Sequence, residues 1–182
     1  MKEYLDIVDE KGQPTGEIID RETAHAKGIL HRTSHVWIAR RKDGKVQILL
    51  QKRAQHKSSF PGCYDISSAG HIPAGDSYEI SALRELEEEL GVQVKVEDLI
   101  FCGDRKVIWD AVFFGKEFHD RQISRVFLLW LDREESAFIA QESEVDSVRW
   151  MDFEECYAGV QNNIFENCIV LEELDIIRKV LV

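Results

Sequence analysis

The sequence is short of several things, and each shortage excludes a class of protein. Its four cysteines, Cys63, Cys102, Cys156 and Cys168, form no C-x-x-C pair and no compact framework. Neither a thiolate zinc site nor a disulfide scaffold is expected, only thiols of a reducing compartment. No uncharged apolar run is long enough to span a membrane, and the opening MKEYLDIVDEKG is charged where a signal peptide would be apolar. The expected location is cytoplasmic. Basic residues are in deficit, 23 Lys and Arg against 34 Asp and Glu, leaving a net charge of −11. Nucleic-acid backbones select basic faces, so a dedicated DNA or RNA partner is disfavoured. A small phosphorylated substrate stays compatible, provided its site supplies cations.

What is present suits one folded unit. The 182 residues are 44% hydrophobic, enough for one core and most simply a single domain. YLDIV and EIID flank a turn at residues 9–12 and predict a hairpin, an extension over residues 1–33. Strands are predicted at Val36–Ala39 and Val46–Leu50 around a turn at residues 42–45. A short apolar segment, Tyr64–Ala69, leads into a loop over residues 70–75. A helix should then start with Asp76 as N-cap, Glu79 completing a near capping box and Gly91 ending it. Further strands are predicted at Asp98–Cys102, Lys106–Phe113, Ile123–Leu131 and Val145–Met151, and an amphipathic helix over Asn167–Val182. Strands dominate and helices fall between and after them, so the expected class is a mixed α/β sandwich, not a doubly wound nucleotide fold. Trp37, Trp130 and Trp150 read as core residues in preference to base-stacking platforms.

The chemistry is concentrated on the helix after Asp76. At about 100° per residue, Glu88 lies about 60° to one side of Glu85 and Glu89 about 40° to the other. Ala82, Leu83, Leu86 and Leu90 form the apolar stripe beside them, and Glu87 points away. Like charges so placed oppose folding by ~0.2–0.5 kcal/mol per neighbouring pair. They also sit in the C-terminal half of the helix, where its dipole disfavours negative charge. A divalent cation removes both penalties, and all-oxygen ligands point to Mg²⁺ or Mn²⁺ over zinc. For an isolated E-x-x-E-E, a solvated acidic face would be the better reading.

The surrounding pattern reverses that judgement. Gly70, five residues, Asp76, seven residues, then Arg84-Glu85-Leu86-Glu87-Glu88-Glu89-Leu90-Gly91-Val92 resembles the Nudix box, G-x5-E-x7-R-E-U-x-E-E-x-G-U with U apolar. The resemblance implies an α/β/α sandwich with a mixed sheet and a catalytic loop–helix–loop at residues 70–92. It also implies metal ligation by Glu85, Glu88 and Glu89 with the Gly70 carbonyl, and a catalytic set of Glu88, Glu89 and Arg84. The departure is Asp76, where the family has glutamate paired with the box arginine. Arg84 is read chiefly as the orienting salt-bridge partner, with Asp76 serving mainly as N-cap.

Upstream, His25–His31, Ser34–Ile38, Lys52-Arg53 to Pro61-Gly62 and Gly70-His71 resemble isopentenyl diphosphate isomerase, a Nudix-fold relative that binds a diphosphate without hydrolysing it. The likeness implies that Arg53 and Lys57 bind substrate, the first with a bidentate fork and the second as a point charge; the plainer reading is a solvated basic loop. His25, His31 and His71 match histidines that hold a metal in the isomerase, although lone histidines near strands are more often structural. The isomerase's cysteine before Gly-His is Ala69 here, Cys63 is too far along the chain to replace it, and Asp120 and Gln122 leave one later carboxylate missing. Glu142 or Glu144 is a metal ligand, a base or part of a charged turn, and His35 and His119 carry no usable signal.

The expected activity is therefore Mg²⁺- or Mn²⁺-dependent water attack on a phosphoanhydride of a small-molecule diphosphate substrate, a nucleoside diphosphate derivative or relative. The rivals are an isomerase, countered by Ala69, and a non-catalytic binding module, countered by the intact Arg84–Glu89 run.

Overall fold

The computed structural model describes residues 2–57 and 59–181. The chain begins with an antiparallel hairpin, β1 (Tyr4–Val8) and β2 (Pro14–Asp20). Its turn is held by the Asp9 carboxylate, which accepts from the backbone of Lys11 and Gln13. A helix α1 (Arg21–Lys27) follows, capped by Asp20 and ended by a left-handed Gly28. Seven residues are too few to show a helical period, which is why the sequence does not predict α1.

The main sheet contains β3 (His31–Lys42), β4 (Lys45–Arg53), β5 (Tyr64–Asp65), β6 (Ser68–His71), β7 (Leu99–Phe113), β8 (Lys116–Trp130) and β9 (Val145–Asp152). Its order is β5-β4-β3-β8-β7, with β6 also on β3 and β9 on β4. β3 and β8 run parallel and the other pairs antiparallel, so the sheet is mixed. One feature sets up the site. The first half of β3 pairs with β6 and the second half with β4, so the sheet forks along β3. Ser67 bridges the fork, accepting from Ile38 N at 2.8 Å and donating to Leu49 O at 2.6 Å.

Helices cover both faces. α2 (Tyr78–Leu90) lies on one, and α3 (Phe153–Gln161) with α4 (Leu171–Arg178) on the other. Period-two alternation assigns the β3 side chains. Val36 and Ile38 join Ala82, Leu86 and Leu90, while Trp37 and Ala39 join Phe153, Cys156, Leu174 and Ile177. Each fully buried leucine stabilises by roughly 1.5–3 kcal/mol, which fixes α2 on the sheet whatever its acidic ridge costs. The α/β/α sandwich is as expected. No helix among the described residues is long and apolar enough to cross a membrane.

Several element boundaries differ from the sequence reading, each for a local reason. The strands predicted at Asp98–Cys102 and Lys106–Phe113 are one, β7, paired with β8 and absorbing a bulge near Gly103. The C-terminal helix is confined to Leu171–Arg178; Ile169 and Leu181 are buried outside it, and Val182 lies outside the described residues. Gly70 and His71 end β6 and do not belong to a loop. The nine residues of α3 are too few for the sequence to show a helical period there. Trp37 and Trp150 are buried and Trp130 is half-buried, in keeping with core roles.

Candidate active site

The N-cap of α2 is Ser77, not Asp76: the Ser77 hydroxyl accepts from Ile80 N at 3.2 Å. This frees Asp76 for the other role. Arg84 donates to Asp76 at 3.1 Å, to Glu85 at 3.0 Å and to the His71 carbonyl at 3.3 Å. The shorter carboxylate thus reaches the box arginine, and Arg84 ties the helix to the end of β6. Glu79 faces Arg125 at 3.6 Å and makes no capping box. Gly91 ends α2 in the left-handed region with its N–H shared between Glu87 and Leu86 carbonyls.

The three ridge carboxylates lie in graded surroundings: Glu88 exposed, Glu85 half-buried and Glu89 buried at 6% exposure. Glu87 is exposed and bonds Gln93, and Leu83 is only half-buried, at the margin of the stripe. A methyl group at Gly70 would collide with the Glu85 carboxyl. Gly70 has no left-handed φ, so its glycine answers a need for space: the β6 backbone and Glu85 approach too closely for a Cβ. Burial raises the Glu89 carboxyl to about 8, a push only partly offset by the Ser68 hydroxyl and Ala69 amide and reinforced by Glu85 and Asp65. Burial likewise raises Glu85, against the pull of Arg84. Glu89 Oε2 has no hydrogen-bond partner among the described residues. A buried oxygen left unpaired beside a second carboxylate is costly to the fold, and a hard divalent cation is the group that fits it.

The structure brings His25, His31 and His71 together, although separated histidines suggested structural roles. Their ligating atoms lie within 4.8 Å of one another. His31 turns Nδ1 to the Ile29 carbonyl at 2.8 Å, which directs its Nε2 lone pair inward, and that atom is buried without a partner. Burial lowers all three imidazoles, His25 to about 3, so they are neutral and able to ligate. Asp120 borders the cluster, its Oδ1 at 3.7 Å from His25 Nδ1. The Gln122 amide oxygen accepts from Thr33 at 3.2 Å. These three imidazole nitrogens fit a metal, and Asp120 faces the Nδ1 edge of His25 at the margin of the cluster. The sequence signal was there, but it became a cluster only when α1, β3 and β6 met.

Arg53 and Lys57 do not project as free cations. Arg53 bonds Asp65 at 3.1 Å and the Ser59 carbonyl at 3.0 Å. Lys57 pairs with Glu144, and Glu142 is exposed. The loop carrying Glu144 is anchored to the end of α2, where Gln141 N donates to Glu89 O at 2.9 Å. Ala69 faces His35 across β3 and β6, while Cys63 sits in the turn before β5 with its thiol raised by burial. Sequence reasoning missed Asp65, which backs Arg53, and the partnership of His35 with Glu173 at 3.0 Å. No spacing signal connects residues so far apart in the chain.

Comparison with known proteins agrees with this fold. The NUDIX domain family model matches residues 30–167. An uncharacterized Nudix hydrolase of Clostridium acetobutylicum is 34% identical over 163 residues, covering 90% of this chain and 76% of that protein. Nudix hydrolase 3 of Arabidopsis thaliana is 40% identical over 157 residues, 85% of this chain, although the chain spans only 20% of the plant protein's length. Isopentenyl-diphosphate Delta-isomerase 2 of Photorhabdus laumondii is 30% identical over 165 residues, 89% of this chain and 84% of that protein. A solved Deinococcus radiodurans structure superposes with a TM-score of 0.68 at 20% identity, covering 97% of this chain and 98% of the other, which is a likeness of fold. With a family model matched across most of its length and the carboxylate helix seated against Gly70, the chain belongs to the Nudix hydrolase superfamily.

Proposed function

We propose that the protein hydrolyses a phosphoanhydride bond in a nucleoside diphosphate derivative or related small diphosphate, using Mg²⁺ or Mn²⁺ at Glu85, Glu88, Glu89 and the Gly70 carbonyl. The observation that carries this reading is the buried, unpartnered Glu89 oxygen beside Glu85 and Gly70. A divalent ion there supplies phosphoryl polarisation and a more acidic water. The chain's own residues do the rest. Arg84 holds Glu85 in place through Asp76 and the His71 carbonyl. The water oxygen bonds to phosphorus, the anhydride P–O bond breaks, and the leaving phosphate takes the electron pair. Glu89, or Glu144 once released by Lys57, accepts the water proton. Arg53 and Lys57 bind the phosphates by exchanging Asp65 and Glu144 for them. His25, His31 and His71 would hold a second ion. The four free thiols suit a cytoplasmic setting.

The test is a phosphate-release screen over a diphosphate library with Mg²⁺ or Mn²⁺, isopentenyl diphosphate included. Metal-dependent cleavage of at least some nucleoside diphosphate derivatives is expected, with isopentenyl diphosphate left unisomerised because Ala69 can neither give nor take a proton. Dimethylallyl diphosphate formed at enzyme-like rates would overturn the reading.

Metal binding should also depend on pH with a definite sign. A carboxyl raised by folding contributes stability that is full below its unfolded pKa and lost as pH rises through the folded value, here about 8 for Glu89. Cation binding expels that proton, so affinity should climb by up to about tenfold per pH unit toward pH 8. At fixed Mg²⁺, the rise in Tm should be larger at about pH 8.5 than at about pH 6.5. Equal shifts at the two pH values would count against Glu89 as a ligand.

A further inference from the structure

We propose that His35 contacts the substrate: Glu173 holds its Nδ1 side, and its Nε2 is presented to an oxygen of a diphosphate bound beside β6. This rests on the diphosphate reading above and adds a residue to it.

Glu173, on α4, is only 2% exposed, and a carboxylate so buried needs several donors. It has three. His35 Nδ1 lies 3.0 Å from both its oxygens, Trp37 Nε1 donates at 2.9 Å and Arg105 Nη1 at 3.3 Å. Arg105 already supplies a matching positive charge, so a proton on His35 is not needed to neutralise Glu173. Burial alone would strip that proton, but the charge and hydrogen bond of Glu173 outweigh it and raise the imidazole above its ordinary value. The far edge of the ring is poorly satisfied. Its nearest partner is the Thr33 hydroxyl at 3.5 Å, too long for a strong bond, and that hydroxyl is engaged by Ser124 at 2.7 Å and Gln122 at 3.2 Å.

Position adds the second argument. His35 lies opposite Ala69, next to Gly70, and paired residues on neighbouring strands share a face. On β6 only the small Ala69 side chain stands opposite it, and the His35 side chain is 15% exposed. Thr33, toward which Nε2 points, is opposite His71. An imidazole raised above its ordinary value therefore lies on the face of β3 and β6 that carries Ala69 and His71, one residue along β6 from Gly70, in a region otherwise rich in carboxylates. An anionic phosphoryl oxygen is the acceptor that suits it.

The experiment uses His35→Asn, whose amide can keep the Glu173 bond at the Nδ1 position while removing Nε2, and His35→Gln, whose amide reaches the Nε2 position. Binding of inorganic diphosphate with Mg²⁺ is measured by calorimetry, and kcat and KM on any substrate found in the screen. In a folded His35→Asn, diphosphate affinity should fall by about tenfold or more, the range for a hydrogen bond to a charged group, and His35→Gln should recover part of it. Unchanged affinity overturns the assignment. If His35→Asn does not fold, the wild-type His35 Nε2 resonance decides: a shift on adding diphosphate supports the contact, and none overturns it. Wild-type hydrolysis with unaltered diphosphate binding in the variant rejects His35 alone, whereas no wild-type hydrolysis of any diphosphate rejects the functional reading beneath it.

Discussion

Glu89→Gln is expected to lower turnover by about 10²–10⁴-fold, the range for losing a positioned acid–base or ligand carboxylate, while the metal-free protein becomes more stable in alkali. The two effects share one cause. Glu89 is buried with an unpartnered oxygen and its carboxyl is raised to about 8. Above that pH the wild-type fold must hold an uncompensated buried charge, at a cost on the order of a few kcal/mol. Glutamine has the same shape without the charge, so the penalty disappears and so does the chemistry. Steady-state rates and metal-free melting curves at about pH 7 and about pH 9 check both halves. Wild-type turnover, or a lower Tm than wild type at the higher pH, would reject the role given to this residue.

Gly70→Ala is expected to fold and yet lose activity by about 10²-fold, the scale for a misplacement of about 1 Å at a reacting centre. The added methyl group meets the end of the Glu85 side chain, which can swing aside, so β6 and its pairing with β3 need not shift. Swinging aside breaks the 3.0 Å contact with Arg84 and takes Glu85 off the ridge. The check is a melting temperature within a few degrees of wild type together with a much smaller Mg²⁺-induced shift. A fully active Gly70→Ala protein would mean that the close approach of β6 and Glu85 has no part in the reaction.

The box was legible because every part of it is local. Glu85, Glu88 and Glu89 fall on one helical face by periodicity alone, and Arg84, Gly70 and Gly91 sit at fixed spacings along a continuous segment. The sandwich class was legible too, since the alternation in β3 and β4 and the apolar stripe of α2 repeat within short windows. Elements without a repeating window were lost. α1 is seven residues long, α3 nine, and the two strands predicted across Gly103 are joined only because β8 pairs with both. The sequence points to Asp76 as the cap, one position before Ser77, because Asp and Ser both suit that role and only the reach of Arg84 separates them.

By itself, then, the sequence determined the carboxylate helix and its glycine entrance, and with them the expectation of a hard divalent cation. Each depends on residue type and spacing within one turn or one loop. The tertiary structure decided which carboxylate is buried, that Arg53 and Lys57 start out paired with Asp65 and Glu144, and that three histidines from separate elements converge beside Asp120. It also joined His35 to Glu173 across 138 positions. Burial and long-range pairing are properties of the packed sheet, because a group's solvation and partners exist only once distant segments have closed around it.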